Sequence, residues 1–349
     1  MSTKYEKIAC KRVLGKFGVL GTRFWTTYSF DPYENCEFNC VYCNKCAIGY
    51  GDSPNHSIPI NVKLNAPHVL AEELNQIRRK GVLRMGIWSD PYQPAEREFR
   101  ITRQILEILR EHKFPFAIGT KSDLILRDLD LISEASRKYH CCVALSFSTL
   151  EENLGNLLEP NAPSPKRRLE VVKQLSEAGI TTGIWIAPIF PYWTDSEKEI
   201  GKIVDAAVEN GAKFVLGAVY DNRNPIKFAK FIEEHLSRLV PKYERLYAKD
   251  RPCHYPIDEL YLNNLALKFI SQCQKSGVER FLPHFSTRKQ AWLFYVRNLS
   301  KFEGSPFIGL TQLLNYLSPS QEILQTIRIR FGNHSVSKAF LDALGYFPH

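Results

Sequence analysis

The chain has 349 residues, room for two average domains or one barrel-sized domain with an appendage. Apolar residues make up 44% and charged residues 24%, a globular balance that excludes wholesale disorder, while 19 Gly and 20 Pro exclude a collagen-like chain. With 46 Lys and Arg against 37 Asp and Glu the formal net charge is +9, which admits a nucleic acid or another anionic partner and is equally a common solubility surplus.

The opening residues, MSTKYEKIACKRVLGKFG, carry neither a long apolar core nor a small-residue cleavage site, so no secretory signal is expected. No run approaches the roughly 20 apolar residues that span a bilayer; the longest, such as Ile184 to Phe190, are strand-sized. These readings place the protein in the cytoplasm, away from membranes. Residues 1–22 read as an N-terminal extension, within which Gly15, Gly18 and Gly21 form a GxxGxxG without the Lys-Ser/Thr ending of a phosphate loop.

From residue 23 strand and helix alternate. Arg23–Phe30 is aromatic and β-rich, a first strand. Val69, Leu70, Leu74 and Ile77 share a helical face that Gly81 stops, and Val82–Trp88 is the next strand. Ile101, Ile105 and Ile108 recur at helical spacing before strand Phe116–Thr120, and a helix from about Arg127 to Lys138 leads to Cys141–Ser148. A helix over Pro165–Ala178, capped by Ser164 and closed by Gly179, precedes strand Thr181–Ala187, which Pro188 is expected to end. The helix Glu197–Asn210 stops at Gly211, and Lys213–Tyr220 is the sixth strand.

Six β/α units over residues 23–240 imply a parallel sheet covered by helices, either a partial barrel or a doubly wound sheet. The character changes after Pro241. Asp258–Gln274, Gly309–Tyr316, Ser320–Arg330 and Ser335–Leu344 read as helices, so residues 241–349 form a helical extension or cap, with a small helix-turn-helix-like module as the other reading.

Nine cysteines are an odd number in a chain too long to need disulfide staples, and four fall between Cys36 and Cys46. Cys36, Cys40 and Cys43 form C-x3-C-x2-C with Tyr42 before the last. Three thiolates on one loop can reach three corners of a cubane cluster. Soft thiolates select iron–sulfur, zinc or Cu(I), and Cys46 could complete a four-thiolate zinc site. Cys141 and Cys142 sit in an apolar strand, where inert buried thiols are expected. The sequence assigns no role to Cys253 or Cys273.

This spacing, directly after the first strand of a βα series, resembles the radical S-adenosylmethionine (radical SAM) superfamily. WSDPYQPAE (88–96), GTKSDLILRDLDLI (119–132), LSFST (145–149), LEPNAPSPKRR (158–168) and GIWIAPIFP (183–191) follow in order and together resemble its branch containing spore photoproduct lyase and "DNA repair photolyase"-type proteins. The resemblance covers roughly residues 25–220 and implies an α/β fold, a partial (β/α)6 radical SAM barrel, to which the C-terminal helical extension is appended.

It further implies a [4Fe–4S] cluster on Cys36, Cys40 and Cys43 with one iron left open for S-adenosylmethionine, Cys46 being a bystander. Ser89 and Asp90 would meet the cofactor's amino group and Lys121 its carboxylate. Ser146 stands at the serine of the family's SxN or SxT segment, although here the run is Ser146, Phe147, Ser148. Ala187 would let the backbone approach the cofactor, and Tyr42 would belong to the same site. Arg167 and Arg168 read as the solvated face of their helix, and Tyr28 and Tyr33 as packing.

The implied activity is that of a lyase-like radical SAM enzyme. An electron from a low-potential donor, flavodoxin- or ferredoxin-like, reduces the cluster and the cofactor is cleaved to a 5′-deoxyadenosyl radical. The implied substrate is a damaged or modified nucleic acid base, most concretely a thymine photoproduct in DNA, hence a role in DNA repair. Modification of RNA or of a peptide is the enzymatic alternative. An iron–sulfur or zinc module that binds nucleic acid is the non-enzymatic one. Convergence of Asp90, Lys121 and Ser146 on one pocket beside the cluster would separate the two classes.

Overall fold

The computed structural model describes residues 5–21, 26–43, 59–78, 80–139, 141–220, 225–247 and 259–280. In chain order, β1 (Tyr5–Ile8), β2 (Gly15–Gly21), β3 (Thr26–Ser29) and β4 (Tyr33–Glu34) precede the cysteine loop, and β5 (Ile60–Lys63) and α1 (Ala66–Asn75) follow it. Next come β6 (Leu83–Met85), α2 (Ala95–Phe99), α3 (Ile101–Glu111), β7 (Phe116–Thr120), a 3-10 segment (Asp123–Asp128), α4 (Leu129–Lys138) and β8 (Cys141–Phe147). After α5 (Glu152–Leu158), α6 (Pro165–Glu177), β9 (Thr181–Ile189), α7 (Glu197–Glu209) and β10 (Phe214–Val219) stand α8 (Pro225–Leu236), α9 (Val240–Leu246), α10 (Glu259–Lys275) and β11 (Glu279–Arg280).

The main sheet has the order β11-β10-β9-β8-β7-β6-β3-β2. Its six predicted strands lie side by side in sequence order and all pair in parallel. That is the arrangement of a partial (β/α)6 barrel: each strand adds beside the last through a helical crossover. Two edge strands were not foreseen. β2, which holds the GxxGxxG, pairs antiparallel with β3, and β11 adds in parallel to β10. A separate three-stranded sheet, β1-β5-β4, carries the segment entering the cysteine loop.

The strands are legible because both of their faces are buried, which produces short continuous apolar runs. On β8, Cys141, Val143, Leu145 and Phe147 pack toward the helices, while Cys142 and Ala144 face the barrel interior with Ala117, Phe214 and Leu216. Ser146, next in that inward series, reaches the barrel mouth. The predicted caps and stops also hold. Ser164 Oγ accepts from Arg167 N at 3.2 Å, and Gly179 and Gly211 take φ of +75° and +84° after α6 and α7.

Pro188 does not end its strand, contrary to expectation: β9 runs on to Ile189. The ladder to β10 shifts register there, Gly217 pairing Ile186 and Val219 pairing Ile189, so a residue without an N–H is accommodated at the irregularity. The predicted strand over Val82–Trp88 is cut to three residues because Gly86 turns left-handed at φ +82°. The helix expected over Asp258–Gln274 is α10. The three helices expected beyond residue 300, Cys46 and Cys253 lie outside the described residues. Among those residues, no helix is long and apolar enough to cross a membrane.

Candidate active site

The cysteine loop starts where β4, paired to β5 through Tyr33 and Val62, releases the chain. Asn35 and Asn39 then take φ of +66° and +49°, the left-handed region that Asn tolerates better than most residues, and curl the backbone around Cys36 and Cys40. Two of the motif segments hold this curl. Fully buried Gln93 donates from Nε2 to the Asn35 carbonyl and accepts from the Glu37 amide, both at 3.0 Å, gripping the backbone on either side of Cys36. From the other side Asn161 Nδ2 donates to the Glu37 carbonyl at 2.8 Å, and Val41 N donates to the Leu158 carbonyl at 2.9 Å. WSDPYQPAE and LEPNAPSPKRR therefore shape the loop as well as lining the barrel.

All three thiols line one cavity of about 260 Å³ at the C-terminal ends of the strands. Cys40 is buried, and Cys36 and Cys43 are half-buried. Burial pushes the Cys36 thiol well up, with the charges of Asp90 and Cys40 adding to it, and burial pushes Cys40 up to about 12. Neighbouring thiolates disfavour one another here, so holding three needs a positive centre between them and the cavity. An iron–sulfur cluster, which takes soft thiolates and brings ferric and ferrous charge, fits this donor set.

Four strand ends form the opposite wall. Ser89 Oγ donates to the Tyr33 carbonyl at 2.6 Å. Asp90 is fully engaged by protein donors: Tyr92 N at 2.9 Å, Thr120 Oγ1 at 2.6 Å and Lys121 N at 2.7 Å. Burial lifts its titration above the ordinary carboxylate value against the pull of those donors. The Lys121 ammonium sits 2.9 Å from Ser146 Oγ, 3.8 Å from Glu159 Oε1 and 5.8 Å from the centre of the Tyr42 ring. Ser146 Oγ also lies 3.4 Å from the Ala187 carbonyl. Cys36, Cys40, Cys43, Tyr42, Ser89, Asp90, Lys121, Ser146 and Ala187 all line the same cavity. Asp90, Lys121 and Ser146 thus meet in one pocket with the three thiols.

Arg168 corrects an expectation. It is completely buried, not part of a solvated helix face. Its guanidinium holds Glu159 Oε2 at 2.5 Å and donates to the Ser146 carbonyl at 2.6 Å, while Tyr42 Oη donates to Glu159 Oε1. Burial alone would raise Glu159, but Arg168 and then Lys121 overcome it and hold the carboxyl below its ordinary range. Arg167 remains outside, paired to Asp123 and Glu170. The helical spacing of α6 put both arginines near its exposed side, and only the nine-residue separation of Glu159 and Arg168 in one segment hinted at a pair. Tyr33 and Tyr28 do pack: Tyr33 donates to Glu96 and Tyr28 lies against Phe114.

An aromatic shell closes the loop's remaining side. Tyr42 meets Phe190 edge-on at 5.5 Å, and Phe190 stacks on Phe228 of α8 at 5.0 Å. Phe228, Phe231, Tyr243 and Tyr247, from α8, α9 and the residue after it, join the same apolar cluster as Cys40 and Tyr42.

Residues 31–211 match the Radical SAM superfamily, and the chain belongs to that family, whose members use a [4Fe–4S] cluster and S-adenosylmethionine. An uncharacterized protein of Methanocaldococcus jannaschii is 32% identical over 208 residues, covering 58% of this chain and 74% of that one. An uncharacterized protein of Mycobacterium tuberculosis is 26% identical over 252 residues, covering 70% and 74%. Among solved structures, spore photoproduct lyase complexed with dinucleoside spore photoproduct superposes with a TM-score of 0.62 at 13% identity, covering 80% of this chain and 82% of that one. That likeness is one of fold.

Proposed function

We propose that Cys36, Cys40 and Cys43 hold a [4Fe–4S] cluster, that S-adenosylmethionine binds in the cavity beside it, and that the substrate is a damaged or modified nucleic acid base, most concretely a thymine photoproduct in DNA. When bound, the cluster and cofactor supply one-electron cleavage of the sulfonium and a 5′-deoxyadenosyl radical able to take hydrogen from a C–H bond. A flavodoxin- or ferredoxin-like donor provides the electron.

The chain's own part is binding, orientation and exclusion of water. Lys121 takes the cofactor's carboxylate as a charge-assisted partner, and Ser146 with Glu159 fixes where its ammonium lies. Asp90 holds Lys121 by its amide and so sets the height of that ammonium above the barrel. The segment through Ser89 faces the amino end of the cofactor. Ala187 leaves room for its own backbone to approach, and Tyr42, braced by Glu159, supplies an apolar face. The aromatic shell under α8 and α9 keeps the cluster side dry, which strengthens each of these contacts.

The observation that carries this reading is the meeting of nine residues, drawn from five separate segments, on one cavity. The likeness in fold to a spore photoproduct lyase complexed with a dinucleoside spore photoproduct and the net charge of +9 support the substrate. Anaerobic reconstitution with iron, sulfide, dithionite and S-adenosylmethionine tests it. Single Ala replacements of Cys36, Cys40 and Cys43 should each abolish the visible iron–sulfur absorbance and the 5′-deoxyadenosine yield, and Cys46→Ala should leave both nearly intact. Loss of the cluster in Cys46→Ala would favour a four-thiolate site.

A further inference from the structure

The register of β3 on β6, with Ser29 opposite Arg84, puts Asp31 opposite Gly86 just beyond the last pair. There its carboxylate accepts three consecutive main-chain donors: Gly86 N at 2.9 Å and Ile87 N at 3.0 Å on Oδ1, and Trp88 N at 2.7 Å on Oδ2. Three successive amides turned onto one anion form an anion-binding nest, here filled from within the protein. The stretch so fixed is the cavity wall between β6 and Ser89.

Its other side is fixed by sterics. Gly86 stands at φ +82°, and a Cβ there would lie 1.9 Å from the Gly119 carbonyl oxygen on β7. The wall is thus pressed against β7 and drawn toward the chain that enters the cysteine loop five residues later. The Asp31 carboxylate joins the approach to Cys36 to the start of this wall, residues 86–88, while Ser89 Oγ ties the wall's far end to the Tyr33 carbonyl.

The geometry points to Asp31 as a positioning residue for S-adenosylmethionine: it sets the 86–89 wall at the distance from the cluster that lets one cofactor molecule reach both. This rests on the reading of that wall as the cofactor's amino-side contact. The Cys ligands have their own supports in Gln93, Asn161 and Leu158, so Asp31 is not needed for them to take up metal.

Asp31→Asn keeps the shape and one acceptor but sets an NH2 against backbone N–H groups; Asp31→Ser removes the carboxylate while leaving a small polar group. Both are to be reconstituted beside the parent protein. Iron per chain, thermal midpoint, equilibrium binding of S-adenosylmethionine and the electron paramagnetic resonance of the reduced cluster with and without cofactor are then measured.

In Asp31→Asn, iron content should match the parent, the cofactor Kd should rise about tenfold, and the cofactor-induced change in the resonance should weaken. Asp31→Ser should behave alike. A Kd within twofold of the parent overturns the inference, as does loss of the cluster or of folding in both variants, which would make Asp31 a scaffold residue. Failure of the parent itself to bind S-adenosylmethionine would instead remove the cofactor reading, and this inference with it.

Discussion

Among the described residues Arg168 is the bulkiest fully buried side chain, and its charge is answered by Glu159 rather than by water. Removing one member of such a pair leaves the other charge in a medium that cannot solvate it, at a cost of about 3–5 kcal/mol. Arg168→Met should therefore lower Tm by roughly 5 °C. Lys121, at 3.8 Å from Glu159, would remain as its partial partner. The double variant Arg168→Met, Glu159→Gln should recover part of the loss, because the fully buried carboxylate is gone and only the Lys121 ammonium, still bonded to Ser146, has lost a counter-charge. The pH dependence follows from the direction of the Glu159 shift. Its folded carboxyl titrates below the unfolded value, so its stabilisation is full above the ordinary glutamate range and is lost as pH falls through the folded pKa. The defect of Arg168→Met should accordingly be greatest near neutrality and shrink on acidification. Thermal melts of the parent and both variants across pH check this, and a defect that grows in acid would contradict it.

Elements far apart in the chain hold one loop, and their grip can be separated from their place in the barrel wall. The Gln93 side chain makes two hydrogen bonds to the backbone around Cys36. Gln93→Ala should weaken iron retention about tenfold, the usual effect of removing a group that orients metal ligands. Unchanged iron content against a chelator series would show that the loop holds its own shape. The same elements show what sequence can and cannot reveal. The six strands were legible because burial on both faces writes itself as apolar runs, and α6 and α7 because Ser and Gly mark their ends. β1, β4 and β5 were not, since YEKI, YE and INVK hold no continuous apolar run and depend on pairing across the cysteine loop. α8 was missed although its aromatic residues line the cluster side. Of the site, the cysteines and strand-end residues were visible as motifs. Asp31, Gln93 and Arg168 were not, because each acts through a partner distant in sequence or on another element, which spacing alone does not encode.

At the scale of the whole molecule the question is what the open barrel mouth receives. The described cavity brings together soft thiols, an ammonium and aromatic surface, and the chain as a whole carries +9. A protein that meets DNA with its Lys and Arg releases counterions, so log K should fall linearly with log salt at a slope of about −0.9 per phosphate neutralised. A thymine photoproduct inside a duplex is out of reach of a cavity at the ends of barrel strands. On the proposed substrate the lesion would have to leave the stack, and its weakened pairing would make that extrusion cheaper than for an intact base. Ultraviolet-treated duplex should therefore bind more tightly than untreated duplex at each salt concentration, with the same salt slope, because the phosphates are shared and only the extruded bases differ. Anaerobic turnover on the treated duplex should restore thymine in step with cofactor cleavage. Equal affinity for both duplexes, together with cofactor cleavage that ignores the lesion, would remove DNA as the substrate while leaving the radical chemistry of the site untouched.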